Sequence, residues 1–185
     1  DDAGFECVFK LRDEGLYRGY MHKGKSHGPG VEIQPEGIYK GYFENGKKDG
    51  EGKLHFKGGD LYEGTFSRGE IHGHGRFIYK NGDIYEGEFE KGLRSGFGEY
   101  RYKNGNKYSG QFRNGTIDGL GATIFKESGN KHDGRYANGS MQGFGKFIYR
   151  NGDRYEGYYE KGQKSGYGKY TYKSGKVEDG QWAAD

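Results

Sequence analysis

Aliphatic side chains are scarce in this sequence. Among 185 residues, Leu, Ile, Val and Phe together make about 16%, two residues are Pro and one, Cys7, is Cys. So small an aliphatic share excludes an ordinary three-layer core and, taken alone, matches the composition of disordered chains. No stretch approaches the roughly 20 consecutive apolar residues of a membrane helix; Phe77-Ile78-Tyr79 is typical of the longest runs. A single Cys forms no internal disulfide and fits a reducing compartment. Two Pro, with no Gly at every third place, exclude a collagen chain. An excess of one charge is lacking too: 30 Lys and Arg against 27 Asp and Glu leave +3, too little to hold the chain open or to favour nucleic acid. The chain opens on Asp1-Asp2 with neither a Met nor a signal-peptide pattern, which reads as a segment of a longer protein.

What is abundant is Gly, at 39 residues, with 18 Tyr and 12 Phe. They recur in register. An aromatic-x-Gly motif starts at Tyr17, Tyr39, Tyr62, Tyr85, Tyr108, His132 and Tyr155, and a last copy at Glu178, with spacings of 22 to 24 residues. Counting each repeat from that residue, the fifth position is Met21, Phe43, Phe66, Phe89, Phe112, Tyr136, Tyr159 and Trp182. Gly holds the third, eighth, twelfth and fourteenth positions, which accounts for 29 of the 39 glycines. The richness in Gly is therefore positional. The chain divides into the tail of a preceding repeat (1–16), seven repeats (17–177) and the first strand of an eighth (178–185).

Each repeat reads as a β-hairpin. Tyr85 to Glu90 alternates with period two, Lys91 to Gly96 is a turn, and Gly98 to Tyr102 alternates again. Lys103-Asn104-Gly105-Asn106 then leads into the next repeat, and Asn-Gly is a strong hairpin signal. Helical periodicity is absent. The predicted fold is all-β: an elongated antiparallel meander of tandem hairpins in a single twisted sheet. Parity puts positions 1, 3, 5, 12, 14, 16 and 18 on one face, where glycines without Cβ let rings lie on backbone. On the other face an acidic second position (Glu63, Glu156) meets a basic fifteenth (Lys53, Lys146), each pair adding about 0.2–1 kcal/mol.

Tyr-x-Gly-x-Phe followed by Gly and Gly-x-Gly at 23 residues, as in Tyr85-Glu-Gly-Glu-Phe-Glu-Lys-Gly with Ser95-Gly-Phe-Gly, resembles the MORN repeat across 17–182. Met21, His132 and Thr123 depart from the pattern and point to weaker local packing. MORN arrays occur in lysine methyltransferases, phosphoinositide kinases, junctophilins and flagellar proteins, and another domain does the catalysis where there is any. The resemblance is greatest to the repeat-only cytoskeletal scaffolds of the protist and ciliary type. It implies a non-enzymatic, cytoplasmic docking or self-associating protein at the cytoskeleton.

No catalytic residue, cofactor or metal is expected. The carboxylates recur at surface positions of the repeat, and Gly166-Tyr167-Gly168-Lys169 has Gln163 where a phosphate loop needs Gly. His72 with His74, or Cys7 with His22 or His27, falls short of the four ligands of zinc unless shared across a dimer. Three surfaces remain as candidates. A partner groove runs over Tyr62, Phe66, Tyr85, Phe89, Tyr108 and Phe112. A row of basic residues at the inter-repeat turns (Lys57, Lys80, Lys103, Lys126, Arg150 and Lys173) suits anionic phospholipid, at about 1 kcal/mol per charge. The half hairpin ending in Gly180 and Trp182 offers an edge for a homodimer or higher oligomer. Tyr20, Tyr42, Tyr158, Ile33, Ile78, Ile124 and Ile148 add apolar spots on the opposite face. Protein binding is the leading reading and anionic-lipid binding the alternative.

Overall fold

Glycine at fixed positions of each strand in a tyrosine-rich chain favours ring-covered sheet over helix, and strand is what forms. The structure, a computed structural model, describes residues 5–10 and 15–183. No helix occurs among them. The chain divides at Leu93/Arg94 into two compact units. The first carries β1 (Phe5–Lys10), β2 (Leu16–His22), β3 (Lys25–Gln34), β4 (Gly37–Glu44), β5 (Lys47–Phe56), β6 (Leu61–Ser67), β7 (Glu70–Ile78) and β8 (Ile84–Glu90). The second carries β9 (Leu93–Arg101), β10 (Lys107–Arg113), β11 (Thr116–Ile124), β12 (Lys131–Ala137), β13 (Ser140–Ile148), β14 (Arg154–Glu160), β15 (Gln163–Thr171) and β16 (Val177–Trp182). Within each unit consecutive strands pair antiparallel, as an all-β meander of hairpins requires.

The register aligns glycines across the sheet. In the first unit Gly19 faces Gly30, Gly30 faces Gly41, Gly41 faces Gly52 and Gly52 faces Gly64. The second unit repeats this from Gly98 and Gly110 to Gly168 and Gly180. Over this glycine row lies the ring at position 1. A Cβ built on Gly52 would stand 2.6 Å from Tyr39 Cζ, and one on Gly30 would stand 2.6 Å from the Tyr17 hydroxyl. Each hydroxyl continues past the glycines and donates to the carbonyl three residues on: Tyr17 to Tyr20 at 2.9 Å, Tyr39 to Tyr42 at 2.9 Å, Tyr108 to Gln111 at 3.0 Å and Tyr155 to Tyr158 at 3.1 Å. Burial pushes the Tyr39 and Tyr62 hydroxyls up to about 12, so they stay protonated donors.

The rings at positions 1 and 5 then pack edge to face. Tyr39 meets Phe43 of its own repeat at 5.1 Å and Phe66 of the next at 4.8 Å. Tyr155 meets Tyr159 at 5.4 Å and Trp182 at 5.3 Å. Each such contact adds about 0.5–1.5 kcal/mol beyond area burial. This herringbone is the core, and it explains how so few aliphatic residues suffice.

The turns differ from the sequence reading. The tight two-residue turns lie at positions 7 and 8, where Lys23-Gly24, Asn45-Gly46, Arg68-Gly69, Asn114-Gly115 and Lys161-Gly162 all take positive φ, the type I′ geometry. The second strand therefore starts within a few residues, at Lys47 or Leu93, rather than after a six-residue turn. At the inter-repeat Asn-Gly pairs only the Gly has positive φ. There Tyr79 N–H donates to Asp83 O and Gly82 N–H to Tyr79 O, a longer loop. The register also slips between Gly64 and Phe66, with equivalent slips in the hairpins that start at β2, β4, β10, β12 and β14, so Thr65 of β6 faces three residues of β7, His72 to His74. Gly73 sits in that bulge at φ 76°.

Candidate functional site

The bulge decides which side chains are available. It pairs position 5 with position 10, Phe66 with Ile71 and Phe43 with Lys48, and so brings position 10 onto the ring face. Lys48 Nζ lies 5.2 Å over the Tyr39 ring and pairs with Glu32 at 2.8 Å. Arg94 stacks over Phe112 at 5.6 Å and Tyr100 at 5.1 Å. Lys164 lies 4.8 Å over each of Tyr155, Tyr170 and Trp182. The sequence reading had placed position 10 in a turn and missed this cover; two-residue turn chemistry at position 7 was the signal for it.

The proposed partner groove is corrected accordingly. Tyr62, Phe66, Tyr85, Phe89, Tyr108 and Phe112 are all buried, none more than 4% exposed. In each unit they belong to the packed ring core, with neighbouring rings and position-10 side chains against them, and are not an open surface.

The opposite face is where rings are exposed. Tyr20, Tyr42, Tyr158, Ile33, Ile124 and Ile148 are exposed there, as parity implied, and Ile78 is half-buried. The reading missed the fullest row, at position 13. In the second unit Phe97 is 61% exposed, Leu120 62%, Phe144 58% and Tyr167 56%. Phe144 pairs in register with Tyr158, their rings 5.7 Å apart. In the first unit Tyr20, Pro29, Val31 and Tyr42 share an open concavity of about 430 Å³ with Arg18, Lys40 and Glu51. Position 13 varies from Pro29 through Glu51 and His74 to Phe97, so only alternation along the strand would have revealed the row. Charge pairs flank it: Lys53 bridges Glu63, and Lys146 meets Glu156 at 3.1 Å.

All six basic residues of the turn row are exposed: Lys57 and Lys80 in the first unit, Lys103, Lys126, Arg150 and Lys173 in the second. Their stems have a structural task. Lys80 lies against Gly59, Lys126 against Gly105, Arg150 against Gly129 and Lys173 against Gly152. Their backbone amides donate to the preceding repeat, Lys80 to Asp60 at 2.7 Å and Lys173 to Asp153 at 2.8 Å. The Lys173 amide and Asn151 hold the Asp153 carboxyl below its ordinary range, so this carboxylate stays charged beside the cations.

At the sheet end, Gly180 pairs with Gly168, while Trp182 is half-buried. Its Nε1–H donates to Gly168 O at 2.9 Å and its ring packs on Tyr155 and under Lys164. Trp182 is thus committed to its own unit, and what β16 offers as an edge is backbone. His72 and His74 are exposed, and no group of three or more His, Cys, Asp or Glu side chains suited to a metal occurs among the described residues. The Cys7 side chain lies outside the described ones. His132 is buried at 1% exposure, with Nδ1 2.7 Å from the Tyr136 hydroxyl and Nε2 unpartnered. Burial lowers its pKa from 6.5 to about 4.

Set beside known proteins, the chain matches the family profile described as MORN repeat at residues 17–38, 39–61, 62–84, 85–107, 108–126, 132–154 and 155–177. No curated protein sequence matches it. Among solved structures it is similar to the SAS-4 (dCPAP) TCP domain of Drosophila melanogaster, in complex with a proline-rich motif of Ana2 (dSTIL), at TM-score 0.54 and 10% identity over 96% of this chain and 90% of that one. The TCP10 domain of Danio rerio CPAP is similar at TM-score 0.54 and 11% identity, over 95% and 83%. At such identities the likeness is one of fold.

Proposed function

The chain belongs to the MORN-repeat family, and from that premise we propose that it is a non-enzymatic docking scaffold that binds extended protein segments on its exposed ring face. The observation that carries this is the position-13 row: Phe97, Leu120, Phe144 and Tyr167 expose more than half their surface on a face that the described residues do not cover. Exposed apolar rows of this kind mark interaction sites. The Tyr20–Pro29–Tyr42 concavity adds an aromatic-walled trough, a surface that suits polyproline II segments. A domain of similar fold is in complex with a proline-rich motif, which makes such a segment the first partner chemistry to try. Assembly at the cytoskeleton and self-association through the β16 backbone edge belong to the same reading.

The test compares affinity capture by the wild type with capture by Phe97→Ser/Phe144→Ser/Tyr167→Ser, which leaves the inner core intact. Proteins held by the wild type and lost by the variant support the reading; an identical set contradicts it. Anionic-lipid binding is the second reading, favoured by the six exposed basic side chains. Co-sedimentation with phosphoinositide vesicles that is abolished by Lys80→Glu/Lys103→Glu/Lys126→Glu would move it to first place.

A further inference from the structure

Positions 16 and 18 build a second line of rings beside the herringbone. Within a repeat the two rings sit side by side: Phe77 and Tyr79 at 4.5 Å, Tyr100 and Tyr102 at 4.6 Å, Phe147 and Tyr149 at 4.8 Å, and Tyr170 and Tyr172 at 4.7 Å. Between repeats the position-18 ring meets the next position-16 ring: Phe56 and Phe77 at 5.6 Å, Phe125 and Phe147 at 5.8 Å, and Tyr149 and Tyr170 at 5.6 Å. The result is a ladder. In the second unit the rung that should stand between Tyr102 and Phe125 is Thr123.

A cavity of about 320 Å³ occupies that place, lined by Tyr102, Thr123, Phe125, Tyr136 and Met141 among others. It lies at the lower end of the roughly 300–1,000 Å³ range of ligand pockets, room for one ring-sized group. Thr123 and Tyr136 bring two linked hydroxyls to its lining. Thr123 Oγ1 and the Tyr136 hydroxyl are 2.6 Å apart, and the latter is held 2.7 Å from buried His132 Nδ1. Thr123 and Tyr136 are each at least nine-tenths buried, and the Thr123 hydroxyl, which makes one such contact, keeps further acceptor capacity.

We propose that this cavity is a receptor slot for one phenolic ring, which completes the ladder between Tyr102 and Phe125 while its hydroxyl bonds Thr123 Oγ1. The chain's own rungs, Tyr100, Tyr149 and Tyr170, show the group that this spacing accommodates. The slot lies on the covered ring face, opposite the position-13 row, so it stands or falls independently of the docking reading above.

The test is methyl NMR of the whole chain at Thr123, Ile117 and Met141 during titration with p-cresol, and separately with N-acetyl-tyrosinamide. Saturable shifts at these methyls with p-cresol are expected. Thr123→Phe, which supplies the missing rung, should abolish them, and Thr123→Val should weaken p-cresol binding by about 3- to 10-fold through loss of one hydrogen bond. Saturation by N-acetyl-tyrosinamide as well identifies the source as a tyrosine side chain of a protein; p-cresol alone identifies a free phenol. Absence of saturable shifts with p-cresol in the folded wild type overturns the proposal, as do equal shifts in Thr123→Phe.

Discussion

A tyrosine hydroxyl reaching across two glycines to a carbonyl is the residue-scale unit of this protein. It makes Gly at positions 3 and 14 a steric requirement. Gly52→Ala would drive a methyl to within 2.6 Å of Tyr39 Cζ in a site whose ring is 1% exposed, and should cost about 2–3 kcal/mol in denaturant unfolding. These glycines were legible in the sequence, because their invariant spacing inside each repeat has only a steric explanation. His132 was legible only as an oddity, since its consequence depends on burial. Folded, it favours the neutral ring, with a pKa of about 4 against 6.5 when exposed. Its contribution is therefore complete above pH 6.5 and declines as pH falls from 6.5 toward 4. Thermal melts should show His132→Tyr losing less stability over that interval than the wild type. Parallel declines in the two proteins would remove His132 as the cause.

At the scale of the hairpin, turn and bulge act together. The I′ turn starts the second strand early, and the bulge at position 12 then keeps positions 10 and 14 on the ring face, so that Lys48, Arg94 and Lys164 cover rings. Turn-side amides tie neighbours: Gly69 N–H donates to Lys48 O and Gly162 N–H to Met141 O, each at 2.8 or 2.9 Å. Asn-Gly is the familiar tight-turn signal, yet this chain uses it both in tight turns, as at Asn45-Gly46 and Asn114-Gly115, and in its longer inter-repeat loops, so the dipeptide alone does not tell the two apart. Lys-Gly and Arg-Gly carry the other tight turns, at the expense of a long-side-chain residue with positive φ. Arg68 at φ 53° is such a residue, and its amide hydrogen bond to Asp49 does not need the side chain. Arg68→Asn should raise stability by up to about 1 kcal/mol. A lowered unfolding midpoint would show that the arginine side chain holds the turn.

Over the whole chain, the MORN pattern announced the all-β meander, because its period, glycines and rings are a complete recipe for the inner face. The proposed docking face was far less legible. Selection for packing repeats the inner residues at every turn of the period, whereas position 13 runs from Pro29 and Glu51 to Phe97 and Phe144 without rule. Aromatic abundance therefore pointed to the buried rings as the groove, and only burial separated core from surface. The central claim is that partners meet the outer rings. It is tested most directly by photo-cross-linking, with a benzophenone side chain placed at Phe144 on the outer face or at Tyr149 on the inner one. The account predicts partner adducts from position 144 and none from 149. Adducts from 149 with none from 144 would contradict it.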